Sequence, residues 1–215
     1  IISRVSGYFQ EVFKKYDDAT VLDNVSLEIE KGKIYGLVGR NGSGKTVLMK
    51  CICGLIKPTS GEVKVAGKTV GKDVDIPEDI GVIIETPGFI PNYSGFKNLK
   101  LLASVRNKIS NEEIRKSMEI VGLEPKSRKH VGKYSLGMRQ KLGIAQAIME
   151  KPKILILDEP MNGLDNESVA VVRKILKEQA ENGATIILAS HNREDIDVLC
   201  DKVYTMDHGV IECER

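Results

Sequence analysis

A run of eight residues, Gly39-Arg40-Asn41-Gly42-Ser43-Gly44-Lys45-Thr46, constrains this chain more than any other stretch. It lies between a short apolar run, Ile34-Tyr35-Gly36-Leu37-Val38, and a helix-like run, Val47-Leu48-Met49-Lys50. Strand, glycine loop, helix is the context that turns a G-x-x-x-x-G-K-[ST] match into a phosphate site. Gly42 and Gly44 can take backbone conformations closed to other residues, so successive N–H groups can turn inward around an anion. The helix that follows aims its N-terminal donors, with about half a positive charge, at the same place. Lys45 adds a full charge for the outer phosphates, and the Thr46 hydroxyl is placed to hold Mg²⁺. The run predicts a site for a nucleoside triphosphate.

The rest of the chain supplies a frame for such a loop. Val25 to Ile29 alternates apolar and polar residues, the period of a half-buried strand. Glu62 to Ala66 and Ile80 to Ile84 read as further strands. Ile154 to Leu157 and Ala184 to Ala189 are apolar along their whole length, which predicts strands buried on both faces of a parallel sheet with helices on each side. An amphipathic helix is expected between them, from Glu167 to Asn182. Val203 to Ile211 reads as a closing hairpin that turns at Asp207-His208-Gly209. From about residue 87 to 150 the character changes to helical. Asn98 to Arg106 has helical apolar spacing, and Ser110 with Glu113 forms a capping-box pattern that opens another helix, ended by Gly122. These residues read as a helical insertion in an α/β core.

Composition narrows the function. At 215 residues the chain can bury one substantial core plus an inserted subdomain. A net charge of +2, without a basic run interleaved with aromatics, argues against a nucleic-acid partner. No apolar stretch approaches the roughly 20 residues needed to cross a bilayer. The opening Ile1-Ile2-Ser3-Arg4 has no signal-type apolar segment. Any membrane part of the function is therefore expected on another chain or segment. Cys51 and Cys53, two apart on a predicted helix, point in different directions and cannot share one metal. With Cys200 and Cys213 they read as small apolar residues of a reduced core.

Three further groups carry chemistry. Asp158-Glu159 ends an apolar strand, and in a parallel sheet ligands gather at the carboxyl ends of strands, beside the phosphate loop. One acid can hold Mg²⁺ through water while the next polarises an attacking water. Ser190-His191 ends the following strand in the same way; a lone histidine is more often structural than catalytic, but at this strand end its imidazole could reach a γ-phosphate. Ser135 is a good N-cap for the helix-like run after it, and a serine and a glycine (Gly137) at a helix N-terminus expose backbone donors. Taken alone, that last feature is better explained as a cap.

Together these residues, in this order, resemble an ATP-binding-cassette (ABC) nucleotide-binding domain over nearly the whole chain. The resemblance implies a P-loop NTPase fold: a RecA-like parallel core with an N-terminal antiparallel β subdomain, formed by residues 1–86 and 151–215, plus a helical subdomain at 87–150. It implies Tyr16 as the aromatic that stacks on adenine, with Phe13 and Tyr8 as nearby alternatives. It implies Asp158 as the Mg²⁺ aspartate, Glu159 as general base and His191 as the switch histidine. Asp165, in Asn162-Gly163-Leu164-Asp165, implies a contact across a dimer, and Ser135 and Gly137 imply cover for the γ-phosphate of the partner's ATP. Two departures stand out. The family's usual Leu-Ser-Gly-Gly-Gln reads Tyr134-Ser135-Leu136-Gly137-Met138, and its usual glutamine after the strand at Ile80 is Glu85. Glu85 still offers an oxygen to Mg²⁺ or to the lytic water, but adds negative charge near the phosphates. Both departures, with Ile83-Ile84-Glu85-Thr86-Pro87-Gly88-Phe89, resemble the exporter branch linked to bacitracin and lantibiotic resistance.

The resemblance implies an ATPase subunit that works with a transmembrane permease and a second, head-to-tail nucleotide-binding subunit, peripheral on the cytoplasmic face of the plasma membrane. The permease contact is expected around Glu85 and at Phe89 to Tyr93, whose apolar residues are equally well explained by packing within the insertion. The competing readings are a non-transport member of the superfamily and a module that binds ATP without turning it over. Against the first, the chain has neither a tandem cassette nor a long coiled-coil insertion. Against the second stand Glu159, His191 and Asp165.

Overall fold

Alternate residues of each central strand enter two different cores, and the sheet between those cores carries the phosphate loop. The computed structural model describes residues 5–214; the opening Ile1-Ile2-Ser3-Arg4 lies outside the described residues. A six-stranded sheet has the order β10-β9-β3-β8-β7-β6. Its members are β3 (Ile34–Val38), β6 (Ile80–Ile83), β7 (Ile154–Asp158), β8 (Thr185–Ala189), β9 (Lys202–Asp207) and β10 (Val210–Cys213). All neighbours are parallel except the β9–β10 hairpin, with Leu37 opposite Ala189 and Asp158 opposite Ala189 on the two sides of β8. A second, antiparallel sheet has the order β2-β1-β4-β5, built from β1 (Val5–Tyr16), β2 (Ala19–Glu30), β4 (Ser60–Val65) and β5 (Lys68–Thr69). The α/β class and the antiparallel N-terminal strands are as expected from the sequence.

The period-2 alternation of a strand divides the apolar residues cleanly. Ile154, Ile156, Ile187 and Ala189 join Tyr35, Leu37 and the helix α1 (Lys45–Ile52) in a core closed by Phe9, Val25 and Val63 of the antiparallel sheet. Leu155, Leu157, Ile186 and Leu188 face the other way. There they join Leu99, Ile114, Met118, Leu142 and Ile144 of the helical segment and Val172 and Leu176 of α5 (Asn166–Glu181). One core therefore runs without a break from the parallel sheet into the helices α2 (Gly95–Arg106), α3 (Asn111–Ile120) and α4 (Leu136–Ile148).

Local chemistry sets the helix ends. Ser110 accepts from Glu113 N while the Glu113 carboxylate accepts from Ser110 N, the reciprocal capping box. α2 begins at Gly95, three residues before the periodicity suggested, because Ser94 caps it by accepting from Lys97 N. Asn98 is then inside the helix and buried, its amide tied to both backbone groups of Ile90. Two other expectations need correction. Cys213 is exposed and Cys200 half-buried, so only Cys51 and Cys53 are core residues. A seven-residue helix, α6 (Arg193–Leu199), also follows His191, capped by Asn192.

Candidate active site

The carboxyl ends of four parallel strands and the N-terminal turns of α1 and α4 meet at one cleft of about 540 Å³. Gly42, Gly44, Lys45 and Thr46 line it from the phosphate loop, Glu85 from the end of β6, Asp158 and Glu159 from the end of β7, and His191 from the end of β8. Sequence distance says nothing of this proximity; the parallel sheet does, because all its loops of one kind leave at the same edge. Gly44 is the N-cap of α1 at φ 109°, and a Cβ there would stand 2.7 Å from the Val21 carbonyl oxygen, so only glycine fits. Gly42, at φ 80°, has nothing within 4 Å of where a Cβ would be: the loop is open on its ligand side.

The polar atoms of the cleft are close and partly unsatisfied. Thr46 Oγ1 donates to Asp158 Oδ2 at 2.8 Å, which sets a hydroxyl and a carboxylate oxygen side by side. Lys45 is buried and spends its ammonium on the loop itself, donating to the carbonyls of Gly39 (2.7 Å) and Arg40 (3.0 Å). Burial holds its pKa below the ordinary lysine value, although Asp158 and Glu159 oppose that shift. Glu159 sits at φ 49°, in the left-handed region, and its backbone N–H donates to Ala189 O. Its Oε2 accepts from His191 N at 3.3 Å. Its Oε1 is buried and accepts no hydrogen bond; His191 Nε2 stands 3.3 Å away, outside hydrogen-bond geometry. Burial raises the Glu159 pKa above the usual carboxylate value, with the His191 N–H pulling the other way.

Glu85 is also left-handed, at φ 59°, and its carboxylate receives Lys50 of α1 at 2.6 Å. The extra negative charge noted in the sequence thus has a counter-ion inside the cleft. Lys50 was not singled out in the sequence, nor was Gln140. The buried Gln140 amide donates to the carbonyls of Glu159 (3.2 Å) and Pro160 (2.9 Å), joining α4 to the Asp158-Glu159 turn. A glutamine inside the apolar run of α4 is the one sequence signal that could have found it.

Other expected residues do not line this cleft, although Leu136, Arg139 and Asn162 close to them in the chain do. Ser135 caps α4 by accepting from Met138 N, and Gly137 packs against the Gly163 carbonyl. Asp165 caps α5, and hydrogen bonds from Ser168 hold its pKa below the ordinary value. None of these three lines the cleft of its own chain, nor do Gly39, Arg40 and Ser43, which form the back of the loop. Tyr16 is at the end of β1, 45% exposed, with Lys14 Nζ 4.8 Å from its ring centre; it too is outside the cleft. Of its alternatives, Tyr8 donates to Glu62, and Phe13 does not line the cleft. Among the described residues no group of three or more His, Cys, Asp or Glu side chains could hold a metal. The oxygens of Thr46 and Asp158 do suit a hard cation that takes its remaining ligands from water and phosphate.

The family model for the ABC transporter matches residues 22–162, from β2 through the Asp158-Glu159 turn. The chain belongs to the ABC transporter family. As a member it is an ATP-binding subunit and an ABC ATPase. Over 199 residues it is 49% identical to the uncharacterized ABC transporter ATP-binding protein YybJ of Bacillus subtilis, spanning 93% of this chain and 91% of that protein. It is 43% identical over 202 residues to the bacitracin transport ATP-binding protein BcrA of Enterococcus faecalis, covering 93% of this chain and 66% of BcrA. It is also 37% identical over 206 residues to the lantibiotic transport ATP-binding protein SrtF of Streptococcus pyogenes, covering 96% and 89%. The fold matches a dimeric ATP-binding cassette in a post-hydrolysis state bound to ADP and Pi, with a TM-score of 0.86 at 22% identity over 97% of this chain and 99% of that one. Among the described residues of this cassette no helix is long and apolar enough to cross a membrane.

Proposed function

We propose that this cassette binds ATP with Mg²⁺ in the cleft and, closed head to tail on a second cassette, drives an exporter of an antimicrobial peptide or drug. The observation that carries the reading is the 2.8 Å contact of Thr46 with Asp158 at the mouth of the phosphate loop, with Lys45 and Glu159 beside it. The loop N–H groups and Lys45 take the phosphates once ATP draws the lysine off the Gly39 and Arg40 carbonyls. Thr46 and Asp158, with Glu85 at the rim, hold the metal. Bound there, Mg²⁺ would supply charge that offsets the developing negative charge on the phosphates. Glu159 acts as general base: its unsatisfied Oε1 is a ready acceptor for the proton of an attacking water, and His191 keeps the carboxylate in place.

Ser135, Gly137 and Asp165 act in this reading on the partner's nucleotide, which fits their position outside their own cleft. The permease is met by the segment from Glu85 to Tyr93, where Ile90 is 41% exposed while Phe89 packs onto the core. The cassette then lies on the cytoplasmic face of the plasma membrane. The names of BcrA and SrtF support bacitracin- or lantibiotic-like cargo.

Glu159→Gln is expected to keep ATP binding, lose at least about a hundredfold in hydrolysis and accumulate as an ATP-dependent dimer in sedimentation velocity. Lys45→Ala should lose ATP binding itself. A Glu159→Gln protein that stays monomeric with saturating ATP, or that hydrolyses at the parent rate, would overturn the reading.

A further inference from the structure

His191 is 53% exposed by its side chain, yet its backbone is fixed on both sides. Ser190, 5% exposed, follows the fully buried β8. Its hydroxyl donates to Asp195 Oδ2 at 3.2 Å and accepts from Asn192 N at 3.1 Å. The Asn192 side chain in turn caps α6 by accepting from Glu194 N at 2.9 Å. Residues 190–192 are thus closed into a small hydrogen-bonded loop with the histidine at its tip. Asp195, 1% exposed, anchors that loop.

Such a carboxylate is strongly unfavourable inside a protein unless its oxygens are taken up. On Asp195 Oδ1 the guanidinium of Arg173 places Nε at 2.8 Å and Nη2 at 2.5 Å, while Nη1 reaches Glu194 at 2.8 Å. The rigid fork of arginine makes this geometry, and a lysine could not duplicate it. Arg173 belongs to α5, whose Val172, Ile175 and Leu176 are embedded in the core. That helix starts at Asp165, the residue proposed above to face the second cassette. At 1.5 Å per residue, the eight positions from Asp165 to Arg173 span about 12 Å of unbroken helix.

We propose that Arg173, Asp195 and Ser190 form a clamp that positions His191 against Glu159, with α5 as the strut joining that clamp to the Asn162–Asp165 loop. These are positioning residues: none touches the cleft, and each acts through the histidine. The proposal rests on the reading of His191 as a group of the active site.

The test is steady-state ATPase kinetics on Ser190→Ala, Ser190→Thr, His191→Ala and the double variant Ser190→Ala/His191→Ala. Ser190→Ala should lower kcat about tenfold and leave KM for ATP within about twofold, since a misplaced group costs rate rather than binding. Ser190→Thr, which keeps the hydroxyl, should recover most of the rate. The double variant should be no slower than His191→Ala alone, because the clamp has no route to the chemistry except the histidine. A parent-like kcat for Ser190→Ala, or a rise in KM and a drop in melting temperature that account for its whole loss, overturns the clamp. A parent-like kcat for His191→Ala overturns instead the reading of His191, and the two failures are told apart in one experiment.

Discussion

Glu159 is held in a backbone conformation and a charge state that both cost free energy. At φ 49° a residue with a Cβ is strained, and Pro160 after it further restricts its backbone. Half-burial then penalises the ionised side chain, so its folded pKa lies above the unfolded value of 4.5. The sign follows from proton uptake: the folded state binds the proton more tightly, so stability falls as pH rises through the folded pKa, and no penalty remains below the unfolded value. Wherever the carboxylate is ionised, it therefore destabilises the fold. Glu159→Gln is expected to raise the melting temperature at about pH 8 and to lose that advantage as pH falls toward the unfolded carboxylate value. Calorimetry of both proteins across that range checks it; a gain that does not change with pH would assign the effect to packing. In the proposed role of Glu159 as base, the same raised pKa would move the acid limb of the ATPase rate upward, because the base must be ionised to accept a proton.

The site depends on α4 as much as on any strand. Its Gln140 amide satisfies two buried carbonyls of the Asp158-Glu159-Pro160 turn, while Gly143 lets Pro87 approach so closely that a Cβ would stand 2.7 Å from the proline ring. One helix therefore braces both the Asp158-Glu159 turn and the loop bearing Glu85. Gln140→Leu preserves the volume and removes the donor, stripping the buried Pro160 carbonyl of its partner while the Glu159 carbonyl keeps Asn162 N; a loss of about 1–3 kcal/mol in unfolding free energy is expected, with a lower kcat. Chemical denaturation together with turnover measures both, and unchanged stability would mean that water replaces the amide. Residues such as Gln140 mark where sequence reasoning stops. The phosphate loop, the two apolar strands and the capping box at Ser110 are local patterns, and each was legible because the residues that make it are neighbours in the chain. Gln140 reaches carbonyls 19 and 20 residues away, and Lys50 finds Glu85 across 35, so their partners exist only after the sheet has formed. The start of α2 is less legible for a lesser reason: Ser94 carries the cap signal, but Gly95-Phe96-Lys97 has no apolar period of its own. Residue type alone does not place the cysteines: Cys213 lies on the edge strand β10 and is exposed.

Charge is divided unevenly over the whole molecule. Residues 87–150 hold twelve Lys and Arg against five Glu, a net +7, which leaves −5 on the remainder of a chain whose total is +2. Most of the basic residues are exposed, among them Lys97, Lys100, Lys116, Lys126, Arg128, Lys129 and Lys133. A parallel side-by-side pairing would set like lobes together. The proposed head-to-tail pairing would set the basic residues 87–150 of each copy against the acidic remainder of the other, and bound ATP would deepen the contrast. This complementarity would add attraction at a distance and select the productive orientation before any short-range contact forms. Such attraction is screened over about 8 Å at physiological ionic strength. The ATP-bound Glu159→Gln dimer should therefore weaken about tenfold between roughly 50 and 500 mM KCl, an order-of-magnitude expectation for several exposed charges acting together. Lys126→Glu with Arg128→Glu should flatten that slope while leaving ATP affinity of the monomer unchanged, since neither residue lines the cleft. Sedimentation equilibrium at several salt concentrations gives the slope. A dimer constant indifferent to salt, or a slope unmoved by the charge reversals, would mean that the two cassettes recognise one another through nucleotide contacts and shape alone.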